Sequence, residues 1–592
     1  MDNKKRKVKK KPSEANIEVI EVSSETNKAT TSERKASSEK RSSSARKASS
    51  DRKPSFEKNP SSERKSSSER KPSSERKAPS KKGKASESPS KLALAIGKLT
   101  EFSKSSLCAY ILTGIHTVLT LVFLSIVLYI NMLPVKFFIP MSFVLLVTCA
   151  VSFLLAFTHR FKHVGKIVSV IMILIVSIGI YFTSVANDTF EKISGANTKT
   201  DVVNVYVMKA DEAEDLTSAA DYIFGIMSVL DRTNTDKTIT TIEDKLGKKI
   251  EIKEYEGYVQ LAEALYKGEV KAVIMNSAYI ANLEENEDYS AFSSLTRVLM
   301  QTTHTTQIQV DTNKDIKNQS FVLYLSGIDI EGKVSTTSRS DVNIIAVVNP
   351  DTRQVLLVNT PRDYWVPLSI SNGTEDKLTH AGIYGIDVSM DTLEMIYDVE
   401  LDYFFRINFT GFKKVIDALG GVEVYSEYAF TSHHGKYKFK KGYNTMNGKQ
   451  ALGFVRERYA FRDGDNQRGK NQMAVIKAIA DKAVSPAFLN NFSDLMNSIE
   501  GSFETSLSSK QISSLVRMQL DEGGSWNVLS YSATGRSAMM PVYSMSTEQS
   551  VMIPDEASVQ KAKKLIDMVI DGEILTEEII ENLDKEETNT DN

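Results

Sequence analysis

The chain has 592 residues, of which 41% are hydrophobic, and a formal net charge of -1 at pH 7. This length allows several domains with buried cores. The charge is divided unevenly, because residues 1–106 carry 29 Lys and Arg against 14 Asp and Glu, whereas residues 187–592 carry 41 against 61. Such asymmetry indicates that the two parts face different environments. Both cysteines, Cys108 and Cys149, precede the acidic part, which excludes disulfides within it.

A repeated basic segment occupies most of residues 1–106. Hexapeptides related to "SERK" keep one register and begin at Ser32, Ser38, Ser44, Ser50, Ser62, Ser68 and Ser74. A period of six residues fits neither a helix nor a strand, and the repeats contain almost no apolar residue to bury. We therefore predict a disordered, serine-rich tail over 1–106.

Two interpretations of this tail remain open. It is a solubilising charged tether, or it is attracted to anionic membrane lipids and tuned by a Ser/Thr kinase, because basic pairs precede serine in "RKASS" and "RKPS". Nucleic-acid binding is not expected, since Phe56 is the only aromatic residue among the repeats and no recognition element follows.

Three apolar segments follow the tail. Residues 107–132, 137–157 and 167–186 contain no Asp or Glu, and each is long enough as a helix to cross a hydrocarbon layer of about 30 Å. We therefore predict three transmembrane helices over 107–186, and hence a multi-pass protein of the cell membrane.

The basic residues between these segments predict the orientation. The second connection contains Arg160, Lys162 and Lys166, whereas the first contains only Lys136. By the positive-inside rule, the tail and the second connection are cytoplasmic, and the chain after Ala186 is extracellular. A cleavable signal peptide is not expected, because no short apolar run with a small-residue cleavage site begins the chain. A disulfide-free exterior suits a Gram-positive cell surface.

Residues 187–310 alternate short apolar runs with helical patterns, which predicts a small α/β accessory domain. Strands are predicted at "VVNVYVM", "IEIKEY" and "VKAVIM", and helices at "DYIFGIMSVL" and "YVQLAEALYKG". No catalytic cluster is evident in this region, so we expect a spacer or a partner-binding domain.

Residues 311–545 predict a second α/β domain, with a mixed central sheet flanked by helices. Strands are predicted at "FVLYLSGID", "VNIIAVVN", "QVLLVN", "GVEVYS" and "ALGFVRER", and helices near 389–396 and 411–419. Residues 546–592 are predicted to form a helical and acidic C-terminal tail that ends in solvent.

The predicted strands "VNIIAVVN" and "QVLLVN" form a hairpin that brings charged residues together. If "NPDT" is the turn, the strands are antiparallel, and Asp341 lies opposite Arg362 because both are nearly equidistant from residue 351. Arg339 and Asp363 then share this end of the sheet. Asp329, at the end of its own strand, is expected beside them.

The segment "GFVRERYAFRDGDNQRGKNQ" concentrates cations. Arg456, Arg458, Arg462, Arg468 and Lys470 lie within fifteen positions and repel one another unless an anion lies between them. In the predicted strand, the first two arginines point to one face.

A helix is predicted to follow the turn "RDGD". Asp465 or Asn466 is its expected N-cap, and Arg468 and Gln472, four residues apart, share one face. Guanidinium groups together with a helix N-terminus form a receptor for phosphate oxygens, so the sequence predicts an anion site.

The aspartates have two interpretations. Asp363 and Asp465 are either site residues or turn and cap residues. Asp329 and Asp341 suit magnesium, which takes hard oxygen ligands and typically binds one or two carboxylates together with substrate phosphates. The arginines, alternatively, pair with carboxylates on the acidic surface.

At these residues the sequence resembles the LytR-CpsA-Psr (LCP) family, in particular its capsule-associated members with three membrane spans and an accessory domain. The resemblance covers about residues 107–535. It is carried by "SGIDIEG", "SRSDVNIIAVVNPDTRQVLLVNTPRDYWV", "KLTHAGIYG", "FFRINFTGFKKVIDALGGVEVY" and "GKQALGFVRERYAFRDGDNQRGKNQ", in this order. The fold that it implies is α/β and membrane-anchored, with an LCP-type catalytic domain after the accessory domain.

The resemblance implies transfer of a lipid-linked glycopolymer, a capsular polysaccharide or another anionic wall polymer, from polyprenyl pyrophosphate to peptidoglycan. The product is a phosphodiester, and the enzyme is a magnesium-dependent phosphotransferase for which Mn²⁺ is an alternative ion. By position, Asp329 and Asp341 correspond to metal ligands. The pyrophosphate contacts are Arg339, Arg362, Arg456, Arg458, Arg468 and Gln472, with Asp465 in support. Asp341 or Asp363 accepts the proton of the attacking hydroxyl.

An alternative function remains. The protein is then a membrane-bound regulator or scaffold of capsule or wall-polymer synthesis that senses polyprenyl-phosphate lipids, with capsule synthesis proteins as partners of the tail. P-loop, zinc-peptidase and serine-hydrolase motifs are absent from the sequence. His433 and His434 have a loop-like setting, in which no metal site is expected.

Overall fold

The computed structural model describes residues 100–158, 160–309, 314–328, 330, 334–462, 464–483 and 501–587. Residues 104–587 of this described chain belong to one compact unit, and residues 100–103 to another. The repeats predicted as a disordered tail lie outside the described residues.

Three long helices begin the larger unit and confirm the predicted apolar spans. They are α1 (Ser106–Ile130), α2 (Val135–Phe157) and α3 (Lys162–Ile193). Each is long and apolar enough to cross a membrane, with a mean hydropathy of 2.3 to 2.4 over its most apolar stretch. Inside the bundle, the Thr113 and Ser169 hydroxyls lie 3.3 Å apart, a polar contact of the kind that joins membrane helices.

The accessory domain has a five-stranded mixed sheet in the order β3-β2-β4-β1-β5. Its strands are β1 (Thr198–Met208), β2 (Ile223–Met227), β3 (Glu251–Tyr255), β4 (Ala272–Asn276) and β5 (Thr296–Gln307). Its helices are α4 (Arg232–Leu246), α5 (Tyr258–Tyr266) and two single turns, α6 (Ile280–Leu283) and α7 (Phe292–Leu295).

One prediction for this domain is wrong, since "DYIFGIMSVL" contains strand β2 and not a helix. β2 lies between β3 and β4 and is parallel to both. Its residues Phe224, Ile226 and Met227 are fully buried. A continuous apolar run suits a strand covered on both faces, and periodicity alone does not distinguish it from a buried helix.

The second domain has a six-stranded mixed sheet in the order β16-β11-β6-β7-β8-β17, which confirms the predicted architecture. The pairs β6–β7, β7–β8 and β11–β16 are antiparallel, whereas β6–β11 and β8–β17 are parallel. The strands are β6 (Phe321–Ile328), β7 (Ser340–Asn349), β8 (Gln354–Asn359), β11 (Tyr403–Asn408), β16 (Phe503–Thr505) and β17 (Asn527–Ser532).

Smaller strand pairs lie around this sheet. They are β9 (Trp365–Pro367) with β10 (Glu375–Lys377), β12 (Val422–Ser426) with β15 (Gly442–Met446), β13 (Phe430–Thr431) with β14 (Lys438–Phe439), and β18 (Gly535–Val542) with β19 (Met545–Pro554).

Helices cover both faces of the central sheet. They are α8 (Leu378–Tyr384), α9 (Ile386–Tyr397), α10 (Phe409–Ala418), α11 (Gly448–Val455), α12 (Gly464–Ala483), α13 (Ser509–Glu522), α14 (Glu556–Ile570) and α15 (Glu577–Glu587). Ile345 on β7 packs in one core with α9 and α14, whereas its neighbours Ile344 and Ala346 pack against Met473 of α12. The sheet is therefore the middle layer of three.

The C-terminal region corrects a second prediction. Residues 546–592 were expected to form a helical, acidic tail. The helices are confirmed as α14 and α15, but the segment begins within β19 and is not a tail, because α14 buries Leu565 and Ile566 completely. In the described part of the acidic end, Ile580 and Leu583 of α15 are also buried in the main core. These two residues are three apart and so share one helix face, which outweighs the acidic composition.

The two domains share a hydrophobic core. Val542 and Met545 of the β18–β19 hairpin, with Ile383 of α8, pack in one cluster with Tyr258 and Leu261 of the accessory helix α5. This packing fixes the accessory domain against α8, which contains residues 378–382 of the motif "KLTHAG".

Candidate functional site

The β7–β8 hairpin produces the predicted charge pair. Ile344 pairs with Asn359 and Asn349 with Gln354, and the same register carried outward places Asp341 opposite Arg362. The Arg362 Nη1 donates to Asp341 Oδ1 at 2.6 Å. This confirms the geometry that was expected from the turn.

Asp363 completes a partly buried group at this end of the sheet. Its Oδ1 lies 3.5 Å from the Nε of Arg362. The side chains of Arg362, Asp341 and Asp363 are 15%, 18% and 17% exposed. The guanidinium of Arg362 therefore lies between two carboxylates at this end of the sheet.

Helix α8 packs closely over the same end. A Cβ placed on Gly382 would lie 2.5 Å from the carbonyl oxygen of Ser338, so a glycine is required where the helix approaches this segment. The backbone N–H of Thr379 donates to Arg362 O at 2.8 Å. Its hydroxyl is buried and has no hydrogen-bond partner among the described residues. The motif "KLTHAG" thus supports the backbone that carries Arg362.

Arg339 points to the accessory domain. Its Nη1 donates to Glu285 Oε1, and the other oxygen of this carboxylate lies 3.9 Å from Lys377 Nζ. The charge of Arg339 nevertheless acts on Asp341 and helps to lower its pKa.

The strand predicted at "ALGFVRER" is wrong, because residues 448–455 form helix α11. The side chain of Asn447 accepts from the backbone of Gln450, whose side chain accepts from Asn447 in return. This capping box starts a helix and outweighs the strand-like run of apolar residues. Arg456 is consequently the C-cap, and Arg458 lies in the loop that follows, so they do not share a strand face.

The two arginines lie against aromatic rings. Arg456 Cζ is 4.4 Å from the ring centroid of Phe409, and Arg458 Cζ is 4.9 Å from that of Tyr459. Arg458 Nη2 also donates to Tyr459 Oη at 3.0 Å. These contacts orient both guanidinium groups without neutralising their charge.

Glu457, between the two arginines, fixes the loop. Its side chain is buried, and its carboxylate accepts from the backbone N–H groups of Ala460, at 2.9 Å, and His433. Two loops are therefore joined beneath Arg458.

The described residues contain no cluster of three His, Cys, Asp or Glu suited to a metal ion, His433 and His434 included.

Helix α12 brings the second half of the site to the sheet. Asp465 lies in its first turn and not at the N-cap, because the helix begins at Gly464. Arg468 Nη2 forms an ion pair with Asp465 Oδ1. A Cβ on Gly469 would overlap the Nδ2 of Asn359 at the end of β8, so this glycine lets the helix approach the hairpin.

Gln472 supports the fold beside the site. Its Nε2 donates to Val455 O at 3.4 Å, and Asn471 Nδ2 donates to Phe454 O at the same distance. These carbonyls are the last two of α11, where the regular helical hydrogen bonds end, and Phe454 O also accepts from the N–H of Glu457 at 3.4 Å. The amide predicted to bind phosphate therefore joins α11 to α12.

The charges perturb one another in opposite directions. Burial raises the pKa of Asp341, but Arg362, Arg468 and Arg339 together lower it below its usual value. Burial lowers the pKa of Arg362, and the carboxylates of Asp341 and Asp363 raise it overall. At neutral pH this pair is therefore ionised.

Asp465 behaves differently. Burial raises its pKa, Arg468 lowers it and Asp363 raises it again, and the net shift is upward. Because Asp363 and Asp465 interact, the ends of β8 and α12 meet at one site. Arg362 and Arg458 also act on Asp465.

The structure thus assembles most of the predicted residues. Its centre contains Asp341, Arg362, Asp363, Asp465 and Arg468, with Arg339 and Arg458 at its edges. Arg456 lies over Phe409, and Gln472 lies under α11. Asp329 lies outside the described residues.

Sequence reasoning missed Glu285, Lys377 and Thr379. The last two lie beside His380 in "KLTHAG", so the motif itself was a signal. His380 is buried, with its Nδ1 2.7 Å from Asp376 Oδ1. Glu285 has no sequence signal, because only the folded accessory domain brings it to Arg339.

The second domain is similar to proteins of one known family. The model of the LytR_cpsA_psr family matches residues 289–564. The TagU protein of Bacillus licheniformis, named polyisoprenyl-teichoic acid–peptidoglycan teichoic acid transferase, is 36% identical over 199 residues, which are 33% of this chain and 63% of that protein. The TagU of Bacillus subtilis is 35% identical over 192 residues, 32% of this chain and 61% of that protein.

A further relative is covered more fully. The TagU of Bacillus cereus is 30% identical over 230 residues, 38% of this chain and 74% of its own length. Among solved structures, TagT of B. subtilis is 28% identical, covers 44% of this chain and 94% of its own, and gives a TM-score of 0.35. The chain thus spans less than two thirds of the first two TagU proteins. It belongs to the LytR-CpsA-Psr family.

Proposed function

We propose that the protein transfers a lipid-linked glycopolymer, capsular polysaccharide or another anionic wall polymer, from polyprenyl pyrophosphate to peptidoglycan. The observation that carries the proposal is the group of Arg362, Arg468 and Asp341 at the meeting point of the hairpin and α12. The names of the TagU relatives, which describe transfer of teichoic acid to peptidoglycan, support it.

The arginines have the chemistry that a diphosphate requires. Arg362 and Arg468 are the central donors, and Arg458 and Arg339 add guanidinium groups at the edges of the site. A guanidinium binds phosphate oxygens with two parallel hydrogen bonds, and the N-terminus of α12 adds a partial positive charge. Ion pairs with Asp341 and Asp465 hold the donors in place before the substrate binds.

A magnesium ion fits the oxygen donors of this site. The hydrogen bond from Arg362 goes to Oδ1 of Asp341, and Oδ2 accepts no hydrogen bond from the residues that the structure describes. Since the carboxyl is ionised, it is a suitable hard ligand, and Asp329 is the second ligand that we propose. Bound there, the ion would neutralise charge on the two phosphates.

The reaction breaks the bond between the bridging oxygen and the sugar-bound phosphorus. A peptidoglycan hydroxyl attacks this phosphorus, a phosphodiester forms, and polyprenyl phosphate leaves with the bridging oxygen. Asp363 is the base that we favour, because Asp341 accepts the shorter contact from Arg362, 2.6 Å against 3.5 Å for Asp363, and is proposed as a metal ligand.

The proposed topology places the site at the outer membrane surface. The basic residues around the spans support a cytoplasmic tail and extracellular domains. Ile193 at the end of α3 packs in one cluster with Ile479 of α12. From Ile479 to Arg468 the helix rises about 16 Å, a distance that a polyprenyl chain can bridge.

The test is a transfer assay with the full chain in detergent. It contains magnesium, a polyprenyl-pyrophosphate saccharide and uncrosslinked peptidoglycan chains, and mass spectrometry detects the sugar-phosphate adduct. We expect the adduct with the natural chain and with Arg462→Ala, which removes an exposed cation of the same segment. Arg362→Ala should form at least a hundredfold less.

A different outcome would favour the alternative function. If the protein binds polyprenyl phosphate tightly but forms no adduct, a regulator or scaffold that senses these lipids replaces the transferase. Capsule synthesis proteins and a Ser/Thr kinase are then the expected partners of the tail. Phosphorylation mapping in cells tests the kinase, and tail serines that stay unmodified would rule it out.

A further inference from the structure

Glu285 is a carboxylate that the accessory domain contributes to the anion site. It lies just after the single-turn helix α6 and before residue 289, where the family match begins. Its partner, Arg339, is in the second domain and was predicted to bind the pyrophosphate. The contact therefore joins a segment outside the family match to a proposed substrate ligand.

One carboxylate serves two cations here. Oε1 of Glu285 accepts from Arg339 Nη1, and Oε2 lies 3.9 Å from Lys377 Nζ. Glu285 is 31% exposed, Arg339 16% and Lys377 8%. Of the three, the carboxylate is the most open to solvent and the two cations are more deeply buried. Glu285 therefore covers part of the charge of both cations on the solvent side.

The backbone that leads to Arg339 is also held by the accessory domain. Thr200 of β1 forms a bridge with Thr336, in which the N–H of Thr200 donates to Ser335 O and the N–H of Thr337 donates to Thr200 O, both at 3.0 Å. The Thr337 hydroxyl donates to Asp201 Oδ1 at 2.9 Å. The accessory domain thus fixes both the segment before Arg339 and its guanidinium.

We propose that Glu285 occupies the Arg339 part of the anion site in the substrate-free protein and is displaced by the diphosphate. This rests on the proposed function. Arg339 precedes Ser340, the first residue of β7, and so lies two residues before Asp341 at the end of the sheet that carries the site. Its charge also helps to lower the pKa of Asp341. A phosphate bound there would be close to the Glu285 carboxylate, and two anions cannot share the same donors without repulsion.

The exchange has a functional consequence. Glu285 lowers the affinity for both the diphosphate and the product polyprenyl phosphate, which favours release of the product. The accessory domain is in this way a component of the site that sets its affinity.

The experiment is calorimetric titration of inorganic pyrophosphate, with magnesium, into the full chain in detergent. Glu285→Gln removes the charge but keeps the size and an oxygen that can accept from Arg339. We expect about tenfold tighter binding, since a unit charge within several ångströms of the ligand is removed in a partly exposed site. Glu287→Gln, which removes an exposed charge from the same segment, should change the affinity less than twofold.

The outcomes separate this inference from the proposed function. Unchanged or weaker binding in Glu285→Gln, with Arg362→Ala still weakening it, contradicts the role of Glu285 alone. Pyrophosphate that does not bind to the natural chain, or that binds equally to Arg362→Ala, contradicts both. In the transfer assay, Glu285→Gln should lower KM for the lipid donor and also lower kcat, a pattern that simple destabilisation does not produce.

Discussion

The two halves of the site are built in different ways. At the β7–β8 hairpin, Asp341 and Arg362 face each other because the strand register fixes both positions. In the segment with α11 and α12, Arg458 reaches the site from the loop beside Tyr459, and Arg468 reaches it through the close approach of α12 to β8. The geometry of the hairpin therefore follows directly from sequence spacing, whereas the positions of the arginines in the helical half depend on contacts that only the fold provides.

The largest effect is expected at the hairpin. Asp341→Asn removes the charge that holds Arg362 and replaces one carboxylate oxygen by an NH2 group, which cannot bind magnesium, so transfer should fall at least a hundredfold. Mass spectrometry of the adduct measures this. Asp351→Asn, in the turn of the same hairpin, is the control and should transfer normally. Substantial activity in Asp341→Asn would show that the hairpin is not the centre of the site.

A smaller effect is expected where α12 approaches β8. Gly469→Ala would push the helix from Asn359 and displace Arg468, and a shift of about 1 Å can cost up to a hundredfold in rate. We expect a tenfold or greater loss of transfer. The double variant Gly469→Ala/Asn359→Ala makes room for the methyl group and should recover part of it. No recovery would mean that the helix position does not depend on this contact.

How far the sequence predicts the site follows from this comparison. The turn "NPDT" determined the register, so the Asp341–Arg362 pair could be predicted without the fold. The strand predicted at "ALGFVRER" was wrong because periodicity cannot weigh the capping box of Asn447 and Gln450 against a short apolar run. Glu285 could not be found, since no local pattern links it to Arg339.

A substitution that loosens the loop of Arg458 should lower transfer less than Gly469→Ala does. Glu457→Gln leaves an amide facing the N–H groups of Ala460 and His433, and one buried donor then loses a charged acceptor at a cost of about 1–3 kcal/mol. We expect a lower thermal unfolding midpoint and a two- to fivefold loss of transfer. Glu427→Gln, at an exposed position nearby, is the control. Equal midpoints for both variants would contradict the structural role of Glu457.

The smallest effect is expected at the start of α11. Asn447→Ala removes the side chain that accepts from the Gln450 N–H at 3.0 Å, and loss of such a cap costs about 1 kcal/mol. The unfolding midpoint should fall slightly while transfer changes less than twofold. A loss of transfer as large as that of Gly469→Ala would show that the α11 cap positions Arg456 and Arg458 more directly than we propose.

The central claim is that the sugar-bound phosphorus moves to peptidoglycan. The direct measurement uses a lipid-linked saccharide with an isotopic label on that phosphorus and follows the label after reaction with the full chain and magnesium. We predict that the label appears in the peptidoglycan adduct and that unlabelled polyprenyl phosphate is released. An adduct without the label, with the diphosphate left on the lipid, would contradict phosphoryl transfer and indicate transfer of the sugar alone.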